Sequence, residues 1–256
     1  MADATLFPQN FDLLHQYEEA LRRQTKEAIA ASDTMRRHFA VIDASMTLVQ
    51  HFARDYPYNG EDELTIHLLG IRLFNSAAGA VQSLTTGYYQ NSVMFQRDLV
   101  EVTFLLDYFR SNEGHISEWR RSPEKFTPDV VRKALDRRDG FNGLKRRDQY
   151  KLLSGIGTHA SYRGFQLLTP TAGGDAHCGP YFANRVLKAT VAELAKLCVG
   201  AAATFIVFFD GRSLLDEETK LASMEATVAW VEHFIGPCDK GPLNGLRVRV
   251  ARRRQG

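Results

Sequence analysis

The sequence has few cysteines, no long apolar run and almost no alternation of apolar with polar residues. Its three cysteines, Cys178, Cys198 and Cys238, are odd in number, and no C-x-x-C occurs. That excludes a disulfide framework and a zinc ribbon. The most apolar run, Leu197 to Phe209, is bounded by Lys196 and Asp210. It falls short of the roughly 20 residues that a membrane span needs, so it reads as a buried core helix. The stretch from Met1 to Gln24 holds no continuous apolar segment of the signal-peptide kind. These absences lead to the expectation of a soluble, cytoplasmic protein with no membrane contact. The only apolar/polar alternation is Leu246-Arg-Val-Arg-Val250, and no hairpin signal flanks it.

Catalytic and cofactor motifs are missing as well. There is no His-Glu-x-x-His, and no Glu has a His three residues on, which removes zincins and the ferritin-like di-iron pattern. Neither a Walker A loop nor a G-x-S-x-G elbow is present. Gly155-Ile-Gly-Thr-His-Ala160 imitates a dinucleotide fingerprint, but that motif follows a strand, and Tyr150 to Ser154 reads as helix. His177-Cys178 offers two adjacent ligands in a glycine-rich loop with no identifiable partners, a poor metal site. No metal and no cofactor are expected.

What is present is helical periodicity over most of the chain. Phe11, Leu14, Tyr17 and Leu21 mark one face of a first helix, and Phe39, Ile42, Met46, Val49 and Phe52 mark a second. Ser32-Asp33 reads as the cap between them, and the second ends at Tyr56-Pro57. Glu61 to Thr86 and Tyr88 to Phe109 form a helix hairpin turned at Gly87. From Leu99 onward the second of these is apolar nearly all round, which makes it the central helix. Shorter helices follow, one opened by Pro128 behind Thr127 and one from about Leu144 to Thr158. Tyr181 to Phe209 and Leu214 to Ile235 are the last two. The fold class is all-α, a helical bundle of about seven to nine helices. Residues 1–236 read as a single domain with a basic insert of short helices at about 111–158. Residues 237–256 read as a flexible, polar, basic tail.

Charged residues on the central helix carry the main candidate site. Arg97 and Glu101 are four apart and share a face, with Tyr108 on the same stripe seven residues further on and Asp98 and Asp107 flanking. Charges on a central helix need partners, because stripping one partner of a buried pair costs about 3–5 kcal/mol. Tyr150, Ser154 and Thr158 form a second polar stripe at steps of four, with His159 beside it. The structural reading is an internal ion pair; the functional reading is a polar pocket built from Arg97, Glu101, Tyr108, Tyr150, Ser154 and His159. In that pocket Arg97 holds an anion and Glu101 orients it. Arg110 and His115 fit the R-x4-H spacing of an RNA-acting pair, although about two such matches arise by chance in a chain of this composition.

Arg97-Asp-Leu-Val-Glu101, followed by Lys133 to Phe141, by Tyr150-Lys-Leu-Leu-Ser154 and by His159, resembles a motif of uncharacterised bacterial all-helical proteins. The resemblance runs from about Leu64 to Leu197 and implies no particular activity. A wider likeness is to HEPN-like helical proteins of bacterial defence and toxin systems, which place an R-x4-6-H pair on a late helix; this chain lacks one there. Three functions compete: a non-enzymatic binding or dimerising module, an anion or nucleotide pocket, and a HEPN-like RNA-acting enzyme.

The net charge of +2 conceals an uneven distribution. Arg120 to Lys151 carries eleven basic residues against five acids, and the last ten residues carry five arginines and no acid. The rest of the chain is therefore acidic. The expected partners are a second copy of the chain, and an anionic ligand or RNA along Arg120–Lys151 and the arginine-rich tail.

Overall fold

The structure, a computed structural model, describes residues 9–141, 145–159, 161–171 and 174–255. The chain is an all-α helical bundle, with no strand among the described residues. α1 (Gln9–Ala30) and α2 (Asp33–Gln50) meet at Ser32, whose hydroxyl accepts from the Met35 N–H and caps α2. α2 runs on into a π turn, His51–Asp55, and stops at an extended Tyr56 ahead of Pro57.

α3 (Glu61–Thr85) and α4 (Tyr89–Ser111) form the expected antiparallel hairpin, the most extensive helix pair in the fold. Gly87 turns it at φ +88°, and a Cβ there would lie 2.5 Å from the Tyr181 carbonyl oxygen. The turn is thus held against the segment that leads into α8 (Asn184–Phe205), where Tyr181 N–H donates to the Gly87 carbonyl. α2, α3, α4 and α8 surround the core, which contains Phe52, Leu73, Leu99, Leu106, Phe109, Leu187 and Phe205. By length and composition, Glu61–Thr85 and Asn184–Phe208 could each cross a membrane; in this fold both supply core residues.

α5 (Gly114–Arg121), α6 (Pro128–Arg138) and α7 (Lys145–Leu153) build an arm against α4. Pro128 is at the first position of α6, as read from the sequence. α9 (Leu214–Phe234) opens with a reciprocal capping box between Ser213 and Asp216 and packs on α2.

Three boundaries differ from expectation. The helix expected over Leu144–Thr158 ends at Leu153 and continues as a π turn, Ser154–Thr158, because Gly155 and Gly157 weaken it and Gly157 lies tight against Val93 (its Leu144 start lies outside the described residues). α8 begins at Asn184, three residues later than expected, because Ala183 ahead of it is extended. Residues 241–255, expected as a flexible tail, form α10 (Gly241–Gln255) packed on α9. Leu243, Leu246 and Val250 are buried there, a helical spacing that the surrounding arginines obscure. This brings the α-helices to ten among the described residues.

Candidate functional site

Three charged side chains along the middle of α4, Arg97, Asp98 and Asp107, are each met by a different part of the fold. Asp98 takes a bidentate pair from Arg72 of α3, at 2.5 and 3.1 Å, and a 2.6 Å hydrogen bond from Ser76 Oγ. Burial raises its pKa, but these donors outweigh burial and hold the carboxyl below its ordinary range. Asp107 is paired with Arg138 of α6 at 2.9 Å. Arg97 turns toward α7: its NH2 lies 3.2 Å from Glu101 Oε2 and donates to the Tyr150 hydroxyl, and its Nε donates to Ser154 Oγ at 3.1 Å.

Tyr150 and Ser154 are four residues apart and so share a face of the α7–π-turn segment, which is what lets both reach one guanidinium. The Tyr150 ring also lies under two cations, with Arg97 Cζ at 4.7 Å and Arg132 Cζ at 4.1 Å from its centroid. Four of the six residues read as a pocket therefore converge: Arg97, Glu101, Tyr150 and Ser154.

The other two do not. His159 is exposed and extended; its backbone N–H donates to the Ser154 carbonyl, while the residue borders a cavity of about 200 Å³ with Gln90, Tyr162 and Phe165. The π turn inserts an extra residue per turn, which carries the ring away from Arg97. Tyr108 shares the stripe of Glu101 but stands about 10 Å further along the axis. It stacks on His115 at 4.6 Å and meets Phe126 edge-on. His115 is thereby held in an aromatic corner, with Glu118 3.6 Å from its Nδ1. Arg110 is exposed at the end of α4, and no hydrogen bond or ion pair among the described residues joins it to His115.

Sequence reasoning missed Arg132. It lies in the basic insert, yet it is only 8% exposed. Its Nε and NH1 are buried without a hydrogen-bond partner, and its NH2 is 3.6 Å from Asp129. The available signal was its position four residues after Pro128 and beside Val131, on the inward face of α6. Arg132, Arg72 and Glu101 border a cavity of about 170 Å³ with Phe104, Trp119 and Phe126.

The basic insert is largely paired. Arg120 meets Glu61 and Asp62 of α3, Arg138 meets Asp107 and Asp139, and Arg146 meets Asp136 and Asp139. Arg138 first and Arg146 second hold the Asp139 carboxyl well below the usual range. On α10, Arg247, Arg249 and Arg254 meet Glu225, Glu217 and Glu218 of α9.

Chemically, the Arg97 cluster is a donor–acceptor lock. Ser154 Oγ accepts from a cation and has no base against it among the described residues, so nothing there draws off its proton. No group of three or more His, Cys, Asp or Glu side chains is placed to hold a metal ion among the described residues. Comparison with known proteins finds no matching family model, no matching curated protein and no matching solved structure.

Proposed function

We propose that the chain is a non-enzymatic helical binding or dimerising module, with Arg97, Glu101, Tyr150 and Ser154 as its internal scaffolding. The observation that carries this reading is the inward use of Arg97. Its guanidinium is divided among a carboxylate, a phenol and a serine hydroxyl, the last two on α7 and the π turn that continues it, so it serves to hold the α6–α7 arm on α4. Arg97→Ala is expected to lower unfolding free energy by about 2–3 kcal/mol, because it leaves three partly buried partners unpaired. Arg97→Lys, which keeps the charge but not the fork, should recover part of that loss. Urea unfolding measures both. Wild-type stability in Arg97→Ala would remove the scaffolding role. Sedimentation equilibrium over a concentration series tests self-association.

A second reading, a small-anion pocket, is favoured by Arg132. Its two unpartnered N–H groups sit in the wall of an aromatic cavity, where a planar carboxylate could draw them out. Benzoate should raise the melting temperature of the wild-type protein and not of Arg132→Gln. An equal response in both would dismiss this pocket.

A further inference from the structure

A second cavity, of about 230 Å³, lies where the α2–α3 connection, the first turns of α3, the start of α5 and the segment after α8 meet. Its volume is somewhat above that of a roughly 150 Å³ cavity able to take benzene. Four carboxylates border it, Asp62, Glu63, Glu113 and Asp210, against a single cation, Arg212. Asp62 is committed to Arg120, and Glu63 to the Asn59 N–H. The Glu113 and Asp210 side chains have no hydrogen bond or ion pair among the described residues.

The wall behind these acids is His67, which is 3% exposed. Its Nδ1 lies 3.1 Å from the Ala53 carbonyl oxygen. A carbonyl only accepts, so Nδ1 carries the proton. Burial above all lowers the imidazole pKa and keeps the ring neutral, although the Ala53 carbonyl and Glu63 act in the other direction. Nε2 is then a lone-pair acceptor, and it has no partner among the described residues. Tyr56 and Phe209 flank the ring, with centroids 6.4 and 5.3 Å away. The chain already places one cation on this aromatic wall: Arg212 Cζ is 4.7 Å from the Tyr56 centroid.

The cavity thus presents acceptors, negative charge and π faces, and its one donor-bearing cation belongs to the protein itself. We propose that it binds a small organic cation carrying N–H donors, a primary ammonium on a short apolar body. An N–H of the ligand donates to His67 Nε2. Asp210 and Glu113 hold the charge, and Tyr56 and Phe209 cover the apolar body. Arg212 competes for the same wall.

Calorimetric titration of the full chain at low salt with benzylamine tests this. Binding to wild type is expected, about tenfold weaker for benzyl alcohol, which has the same body without the charge, and weaker also for tetramethylammonium, which has the charge without a donor. The double variant Asp210→Asn/Glu113→Gln breaks no hydrogen bond or ion pair among the described residues and removes only a longer-range attraction between Asp210 and Lys220, so it should fold as wild type and bind benzylamine about tenfold more weakly. Arg212→Gln should bind more tightly. In two-dimensional NMR, benzylamine should shift the imidazole signals of His67. No binding by wild type, equal binding of benzyl alcohol, undiminished binding by the double variant, or an unmoved His67 signal would each overturn the proposal.

Discussion

His38 and His67 are both buried, and their hydrogen bonds demand opposite tautomers. His38 Nδ1 accepts from Trp230 Nε1–H at 2.9 Å, so its proton is on Nε2, whereas His67 Nδ1 donates to Ala53. Burial lowers both pKa values, with the Lys196 and His233 charges adding to the effect at His38. In the unfolded chain each imidazole takes a proton at about pH 6.5. Below that pH the unfolded state binds more protons than the fold, so stability falls as pH drops through about 6.5 toward the depressed folded values. The slope is at most about 1.4 kcal/mol per pH unit for each histidine. Urea unfolding between pH 5 and 8 should show this decline, and His38→Gln should flatten it; a pH-independent midpoint would contradict the assignment. Glycines offer a sharper contrast. Gly87 and Gly140 both have positive φ, but a Cβ at Gly87 would strike the Tyr181 backbone, while Gly140 faces open space. Gly87→Ala should therefore cost about 3 kcal/mol, and Gly140→Ala about 1 kcal/mol. Both residues are legible in the sequence as turn glycines; the difference between them is not, because it depends on a segment over ninety residues away.

At the scale of the element, α10 shows how composition can hide periodicity. Leu246, Val248 and Val250 alternate like a strand, yet Leu246 is 1% exposed and Val248 49%. The helical set is Leu243, Leu246 and Val250, which α9 covers. Apolar burial should outweigh the ion pairs here. Leu246→Ala should destabilise by about 2–3 kcal/mol, whereas Arg247→Ala, which breaks an exposed pair with Glu225, should cost under about 1 kcal/mol. Limited proteolysis should release α10 far sooner in the first variant than in the second. α7 gives the complementary case. The step of four from Tyr150 to Ser154 is visible in the sequence and brings both to Arg97, but the π turn before His159 holds two glycines, of which Gly157 packs on Val93.

Over the whole molecule, the acidic body and the basic segments are partners of one another. Arg120 reaches back to α3, Arg138 to α4, and three arginines of α10 to α9. Within Arg120–Lys151, the cations with no carboxylate partner among the described residues are Arg121, Arg137, Lys145 and Lys151. An RNA or other polyanion engaging that strip should therefore show a log K against log salt slope no steeper than about −4. Raising sodium chloride from about 0.05 to about 0.5 M should also lower the melting temperature by about 2–5 °C, since many of these pairs are at the surface and salt screens them. An unchanged or higher melting temperature would mean that the pairs add nothing to the fold.

The all-α class, the α3–α4 hairpin, the cap at Ser32, the start of α6 at Pro128 and the central place of α4 are legible in the chain itself, because apolar spacing, prolines and turn glycines act over a few residues. So are Arg97, Glu101, Tyr150 and Ser154, since each pair is separated by one helical turn. Which charges neutralise one another, the burial of Arg132 and His67, and the separation of His159 and Tyr108 from the Arg97 cluster emerge from the folded arrangement. Those outcomes depend on contacts between residues distant in the chain, where packing sets burial and burial sets the chemistry of each group.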